Sequence, residues 1–253
     1  SFHGRTSAAV ASTDNPKIIA PLNAQQNVEF LALGDLSTVE KTLQKGTTCA
    51  IIIECIQGVG GLDESTTAFY QGLEVLCNKY ETVLIADEVQ SGFGRSGDFF
   101  AFQKHGITPH IISMAKGMGN GFPVGGILIH PQIEATYGLL GTTFGGNHLA
   151  CAATLSVLEV LDAQKLMENA QQMEVYFRNK AKDVPQIVQL KGRGLMLGVE
   201  FDFSVAALRK TLLFKHKIFT GSSKNPNLIR ILPPLTIKEE HIDLFFNALK
   251  QEL

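Results

Sequence analysis

Cysteine is scarce in this sequence and never clustered: Cys49, Cys55, Cys77 and Cys151 stand singly among 253 residues. With no CxxC pair and no histidine at ligand spacing, neither a disulfide framework nor a structural zinc site is expected, and no other metal; the thiols read as reduced and mostly buried. Charge of one sign is equally thin. Twenty-two Lys and Arg against 24 Asp and Glu leave a formal charge of -2, with no long basic run, which argues against nucleic acid or an anionic membrane as a partner. Long apolar runs are missing too. Segments 49–53 and 124–129 fall far short of the roughly 20 residues a membrane-spanning helix needs, and no signal peptide opens the chain, so a soluble cytoplasmic protein is expected. The chain opens SFHGRT without an initiator methionine, which reads as the later part of a longer polypeptide. What is plentiful is apolar material, 45% of the residues, enough for one large or two ordinary domains.

From residue 48 the pattern alternates. TCAIIIECI, VLIADEV, HIISMA and VGGILIH are short continuous apolar runs that predict buried strands. Between the first two, residues 65–80 carry Phe69, Leu73 and Leu76 at helical spacing. Strand, helix, strand in this order predicts an α/β fold with a mainly parallel sheet covered by helices on both faces. Residues 151–182 predict connecting helices after a large domain spanning 1–150. Residues 183–253 predict a smaller α+β domain: two strands in IVQLKGRGLMLGVEF around Gly192 and Gly194, a helix over 205–215, extended LIRILPPLTI, and a closing helix over 238–252 with Ile242, Phe245, Phe246 and Leu249 inward.

Two polar residues interrupt this pattern where chemistry is placed. Asp87 ends VLIAD, at the carboxyl end of a strand, where open α/β sheets bind ligands. Lys116 follows HIISMA at another strand end and is followed by GMGNGFPVGG, which cannot continue regular structure. A lysine in a partly apolar place has its ammonium disfavoured, leaving a neutral amine able to attack carbonyl carbon, the chemistry of a Schiff base. Alone, such a lysine is ordinarily a solvated loop residue and such an aspartate a turn former.

Three ordered stretches, LIADEVQSGFGRSG (84–97), SMAKGMGNGFPVGG (113–126) and GTTFGGNHLA (141–150), together resemble the class III pyridoxal-phosphate aminotransferases, most of all the acetylornithine group. The similarity runs from SFHGRT to LIRILPPLTI. It implies pyridoxal 5'-phosphate as cofactor, fold type I, and a homodimer with active sites at the subunit interface. By the same resemblance Lys116 holds the cofactor covalently and moves the proton, and Asp87 pairs with its pyridine nitrogen. Gln90 donates to its phenolate oxygen, Val89 and Phe2 cover its two faces, and Glu88 is counted among the cofactor contacts. Thr143 reaches the cofactor phosphate of the other subunit, and Thr142 lies near substrate. Arg5 takes the substrate carboxylate far from the reacting amine and Arg230 the one beside it, a guanidinium fork suiting either.

Two departures qualify the resemblance. ECIQGVGG keeps Glu54 but has Val59 where the family usually has a second acid that masks the arginine matched by Arg230. The family's early phosphate-cradling turn and N-terminal arm are also absent, so that part of the fold is missing from these residues. The activity implied is transfer of the δ-amino group of N2-acetylornithine or N2-succinylornithine to 2-oxoglutarate. The alternatives are another ω-aminotransferase, acting on ornithine or 4-aminobutyrate, and a cofactor-binding fragment without turnover.

Overall fold

The computed structural model of the chain describes residues 1–24 and 27–253. Helices α1 (Ser7–Ala11) and α2 (Leu36–Leu43) precede β1 (Ala50–Ile53), α3 (Thr67–Lys79), β2 (Val83–Asp87), β3 (Ile111–Met114) and β4 (Gly126–Ile129). Thr66 starts α3 by accepting the Phe69 amide on its side chain, satisfying one of the helix's free donors. The helix then buries Phe69, Tyr70, Leu73 and Cys77, and returns the chain from β1 to its parallel neighbour β2. The sheet order is β1-β2-β3-β4, with β2 and β3 also parallel and β4 antiparallel to β3.

That last strand corrects an expectation. VGGILIH was read as a buried strand, but Ile127, Leu128 and Ile129 are 48%, 49% and 42% exposed. The strand lies at the end of the sheet order, so one side has no neighbouring strand among the described residues. An apolar run reports affinity for burial, not position in a sheet.

Helices α4 (His148–Ala163) and α5 (Leu166–Ala181) lead to β5 (Gln189–Arg193), β6 (Met196–Glu200), α6 (Ala206–Phe214), β7 (Leu228–Ile231) and α7 (Glu239–Glu252). The second sheet, β5-β6-β7, is antiparallel throughout. Its core gathers Leu195, Leu197, Val199 and Ile229 with Phe177 of α5, Leu212 of α6, and Ile242, Phe245, Phe246 and Leu249 of α7. Each such side chain contributes about 1.5–3 kcal/mol by leaving water. Thus α5, besides connecting, forms a wall of this smaller core, whereas Leu161 and Leu166 pack into the larger one. The carboxyl ends of β2 and β3 and the middle of β7 are the places that bear on function.

Candidate active site

Asp87 closes β2 and is 6% exposed. One carboxylate oxygen, Oδ1, accepts the Val89 amide at 3.0 Å and the Ser113 hydroxyl at 3.2 Å; Ser113 is its register partner on β3. The other, Oδ2, lies 2.7 Å from Nδ1 of His3, whose side chain is 3% exposed. A carboxylate offers about four acceptor positions, and three are used. His3 is held in turn by its amide, which donates to the hydroxyl of fully buried Thr13 at 2.9 Å.

Lys116 sits two residues beyond β3, in the left-handed region at φ 48°. A side chain there costs about 1–2 kcal/mol, strain of the kind found at functional sites. The residue is exposed as a whole, yet the surrounding protein holds its pKa below the ordinary lysine value. Burial is the main cause, with Arg230 adding to the fall while Asp87 and Glu54 oppose it. The amine therefore shares one electrostatic field with the three groups that matter most to it.

Glu54, 5% exposed, follows β1 and joins two segments: it accepts the Phe2 amide at 2.9 Å on one oxygen and the Gly58 amide at 2.9 Å on the other. The Gly58 carbonyl accepts from Nη1 of Arg230 at 2.6 Å, and the same nitrogen donates to Oε1 of Gln90 at 3.2 Å. Through the adjacent pairs Phe2–His3 and Val89–Gln90 these bonds close a ring: Arg230, Gly58, Glu54, Phe2, His3, Asp87, Val89, Gln90 and back. With its oxygen turned to Arg230, the Gln90 amide keeps its NH2 as donor for a ligand. A Cβ on Gly58 would overlap the Gln90 amide, so a side chain there would push that amide out of its present place beside Arg230.

Arg230 makes no ion pair among the described residues: its acceptors are a carbonyl and an amide oxygen, and its buried Nε has none. Val59, half-buried beside Gly58, offers no charge. Burial, then the like charge of Arg209, lower the Arg230 pKa against the pull of Glu54. Glu88, counted among the cofactor contacts, spends its carboxylate on the Ser91 hydroxyl and the Ala101 and Phe102 amides, which ties down the loop after β2. Arg5, Thr142 and Thr143 are exposed and stand outside the ring. His3 and Ser113 were not singled out from sequence; the position of His3 directly after Phe2 was the one available signal. Among the described residues no His, Cys, Asp and Glu cluster could hold a metal, and no helix is long and apolar enough to cross a membrane.

The family profile described as "Aminotransferase class-III" matches residues 1–253. The chain belongs to the class-III aminotransferases. The family's cofactor is pyridoxal 5'-phosphate. An acetylornithine aminotransferase of Aquifex aeolicus (strain VF5) is 38% identical over 263 residues, covering 100% of this chain and 66% of the relative. A succinylornithine transaminase of Photorhabdus laumondii is 37% identical over 254 residues, covering 96% and 62%. Among solved structures, the ornithine aminotransferase of Toxoplasma gondii crystallised with oxidised glutathione, with PLP at partial occupancy in its active site, matches at TM-score 0.88 and 26% identity, covering 98% of this chain and 61% of that one. The chain thus spans about two-thirds or less of the length of these class-III proteins.

Proposed function

We propose that this chain carries the reaction centre of an aminotransferase moving the δ-amino group of an N2-acylated ornithine, acetyl or succinyl, to 2-oxoglutarate. The observation that carries this reading is the pairing at adjacent strand ends: buried Asp87 after β2 and the depressed Lys116 amine after β3. The acyl-ornithine substrate rests on the two curated relatives at 37% and 38% identity.

The donor set fits pyridoxal phosphate. An amine whose pKa is lowered by its surroundings suits its aldehyde, and a buried carboxylate with an acceptor position to spare suits its pyridine nitrogen. Bound there, the cofactor supplies an electron sink for the carbanion formed when the amine-bearing carbon loses its proton. Lys116 would hold the cofactor covalently, and its amine would carry that proton away from the amine-bearing carbon. Asp87 would keep a proton on the ring nitrogen, and His3 holds its Oδ2 in place at 2.7 Å. Gln90 would donate through its NH2 to the phenolate oxygen, while Val89 and Phe2 would bound the ring's faces. Glu88 acts through the loop it ties down. Arg230 takes the carboxylate beside the reacting amine of glutamate, and Arg5 the far one.

Thr142 and Thr143 belong to a segment exposed from residue 134 into the first turn of α4 at 149, and Tyr137, Leu139, Leu140, Phe144 and Leu149 are all 70% or more exposed. That much apolar surface supports a homodimer, in which Thr143 reaches the second copy's cofactor phosphate. A cytoplasmic location completes the proposal. The test is the protein expressed from its complete gene, loaded with pyridoxal phosphate and offered 2-oxoglutarate with N2-acetylornithine, N2-succinylornithine, ornithine or 4-aminobutyrate. Glutamate formed fastest with an acylornithine supports the reading. A preference for either unacylated amine overturns the substrate assignment, and cofactor binding without glutamate overturns the enzyme.

A further inference from the structure

Two arginines outside the ring tie the larger unit to the smaller one. Arg95 lies in the loop after β2 and donates from Nη1 to the Leu195 carbonyl at 3.1 Å and to the Pro233 carbonyl. Its own carbonyl accepts the Leu195 amide at 2.9 Å. No carboxylate pairs with it among the described residues, and burial pushes its pKa down to about 10. In the opposite direction, Arg193 at the end of β5 reaches Glu64 at 2.9 Å, Asp98 at 2.8 Å, and the carbonyls of Ser96 and Ala101 at 3.2 and 2.6 Å.

The turn between β5 and β6 is pressed against the same loop. A Cβ on Gly194, at φ 59°, would overlap the backbone of Ser96 and Gly97. Gln171 of α5 adds a bond from its amide to the Gly97 carbonyl at 2.7 Å.

A half-buried cation with neutral acceptors alone is a costly way to gain stability; what it gives is position. The carbonyls that Arg95 grips belong to Leu195, just before β6, and Pro233, just after β7 and three residues from Arg230. The loop that bears Arg95 begins at Asp87 and Gln90. We propose that Arg95 and Arg193 form a reciprocal clasp that sets Arg230 over the Asp87–Lys116 crevice, making Arg95 a positioning residue for carboxylate recognition. The clasp rests on the functional reading given above only in assigning Arg230 to carboxylate. Arg193, with two carboxylate partners, anchors the clasp, and Arg95 adjusts it.

The experiment uses Arg95→Met and Arg95→Lys in the cofactor-loaded protein expressed from its complete gene, with the unreactive dicarboxylate glutarate as probe. Three quantities are read: cofactor absorbance, the glutarate dissociation constant, and hydrogen exchange across the whole chain. For Arg95→Met we expect unchanged absorbance and a dissociation constant raised about tenfold, as displacement of a binding group by a fraction of an ångström produces. Faster exchange is expected at residues 193–197 and 228–235 and nowhere else. Arg95→Lys, which keeps the charge but not the fork, should recover part of the affinity. Exchange raised throughout both units would make Arg95 a general stabiliser and overturn the proposal, as would unchanged glutarate binding in a variant whose 228–235 exchange has risen, or unchanged exchange there. Failure of the functional reading shows separately, as a wild-type protein that binds neither cofactor nor glutarate, and then exchange at 193–197 and 228–235 still decides whether the clasp holds.

Discussion

Asp87 is expected at this chain's own cofactor and Thr143 at that of a second copy, and the chain treats them oppositely. Asp87 is 6% exposed, with three protein partners fixing both oxygens. Thr143 stands on a loop exposed along its length. The contrast teaches that the Asp87 side is built by this chain's own packing, whereas the Thr143 side depends on the second copy proposed above. A preorganised carboxylate costs nothing to orient when a ligand arrives. A loose hydroxyl contributes only once something else has ordered it.

The sharpest way to break this contrast is to remove the amine on the packed side. Lys116→Ala should abolish covalent cofactor attachment and lower turnover by more than about a thousandfold, since both nucleophile and proton carrier are lost. Borohydride reduction followed by peptide mapping checks it, and label on another lysine would refute the assignment. Asp87→Asn comes next: bound cofactor retained, turnover down on the order of a hundredfold, because an amide cannot hold the ring nitrogen protonated. A variant that turns over at wild-type rate would remove Asp87 from the mechanism, and one that fails to fold would show that its three hydrogen bonds are structural first.

On the open side, Thr143→Ala should weaken cofactor binding by roughly tenfold, the loss of one hydrogen bond to a charged group at about 1.5 kcal/mol. The urea midpoint of the unloaded protein should stay put, as expected for an exposed side chain. If that midpoint falls with the affinity, the loop is packed in solution and the contrast with Asp87 disappears.

The smallest effect concerns pH and Glu54. Burial, aided by Asp87, pushes its carboxyl above the ordinary value of 4.5 against the pull of the Phe2 and Gly58 amides and of His3. The folded protein then binds this proton more tightly than the unfolded chain does. The contribution to stability is full below the ordinary value and is lost as pH rises through the raised folded value. Glu54→Gln cannot titrate, so the wild-type urea midpoint should decline relative to the variant's as pH rises through that window. A constant difference would mean that the two amide bonds hold Glu54 ionised throughout.

Much of this was legible in the residues. Asp87 and Lys116 stood out because each ends an apolar run, and a polar residue at the end of a buried strand has few places to go but the crevice. The closing helix was legible for a similar reason, its four inward residues repeating at helical spacing. The direction and exposure of β4 were not, since periodicity records neither a strand's direction nor its neighbours. His3 was missed because its partner lies 84 residues away and a single histidine makes no pattern. Arg95 and Arg193 were hidden likewise, although each is flanked by a glycine in GFGRSG and KGRGL, a hint of backbones in close approach.

The ring of hydrogen bonds also has a consequence in time. It links Phe2 and His3 to Arg230, 172 residues from its Gly58 acceptor, so no shorter stretch of the chain can close it. During synthesis the first sheet can be finished while β7 is still unmade, and Asp87, Glu54 and Lys116 then wait beside a half-open crevice. Contacts of such long sequence separation form late because loop-closure entropy must be met first. The carboxylate recognition proposed for Arg230 therefore becomes available only after β7 has been made, later than the first sheet that carries Asp87 and Lys116.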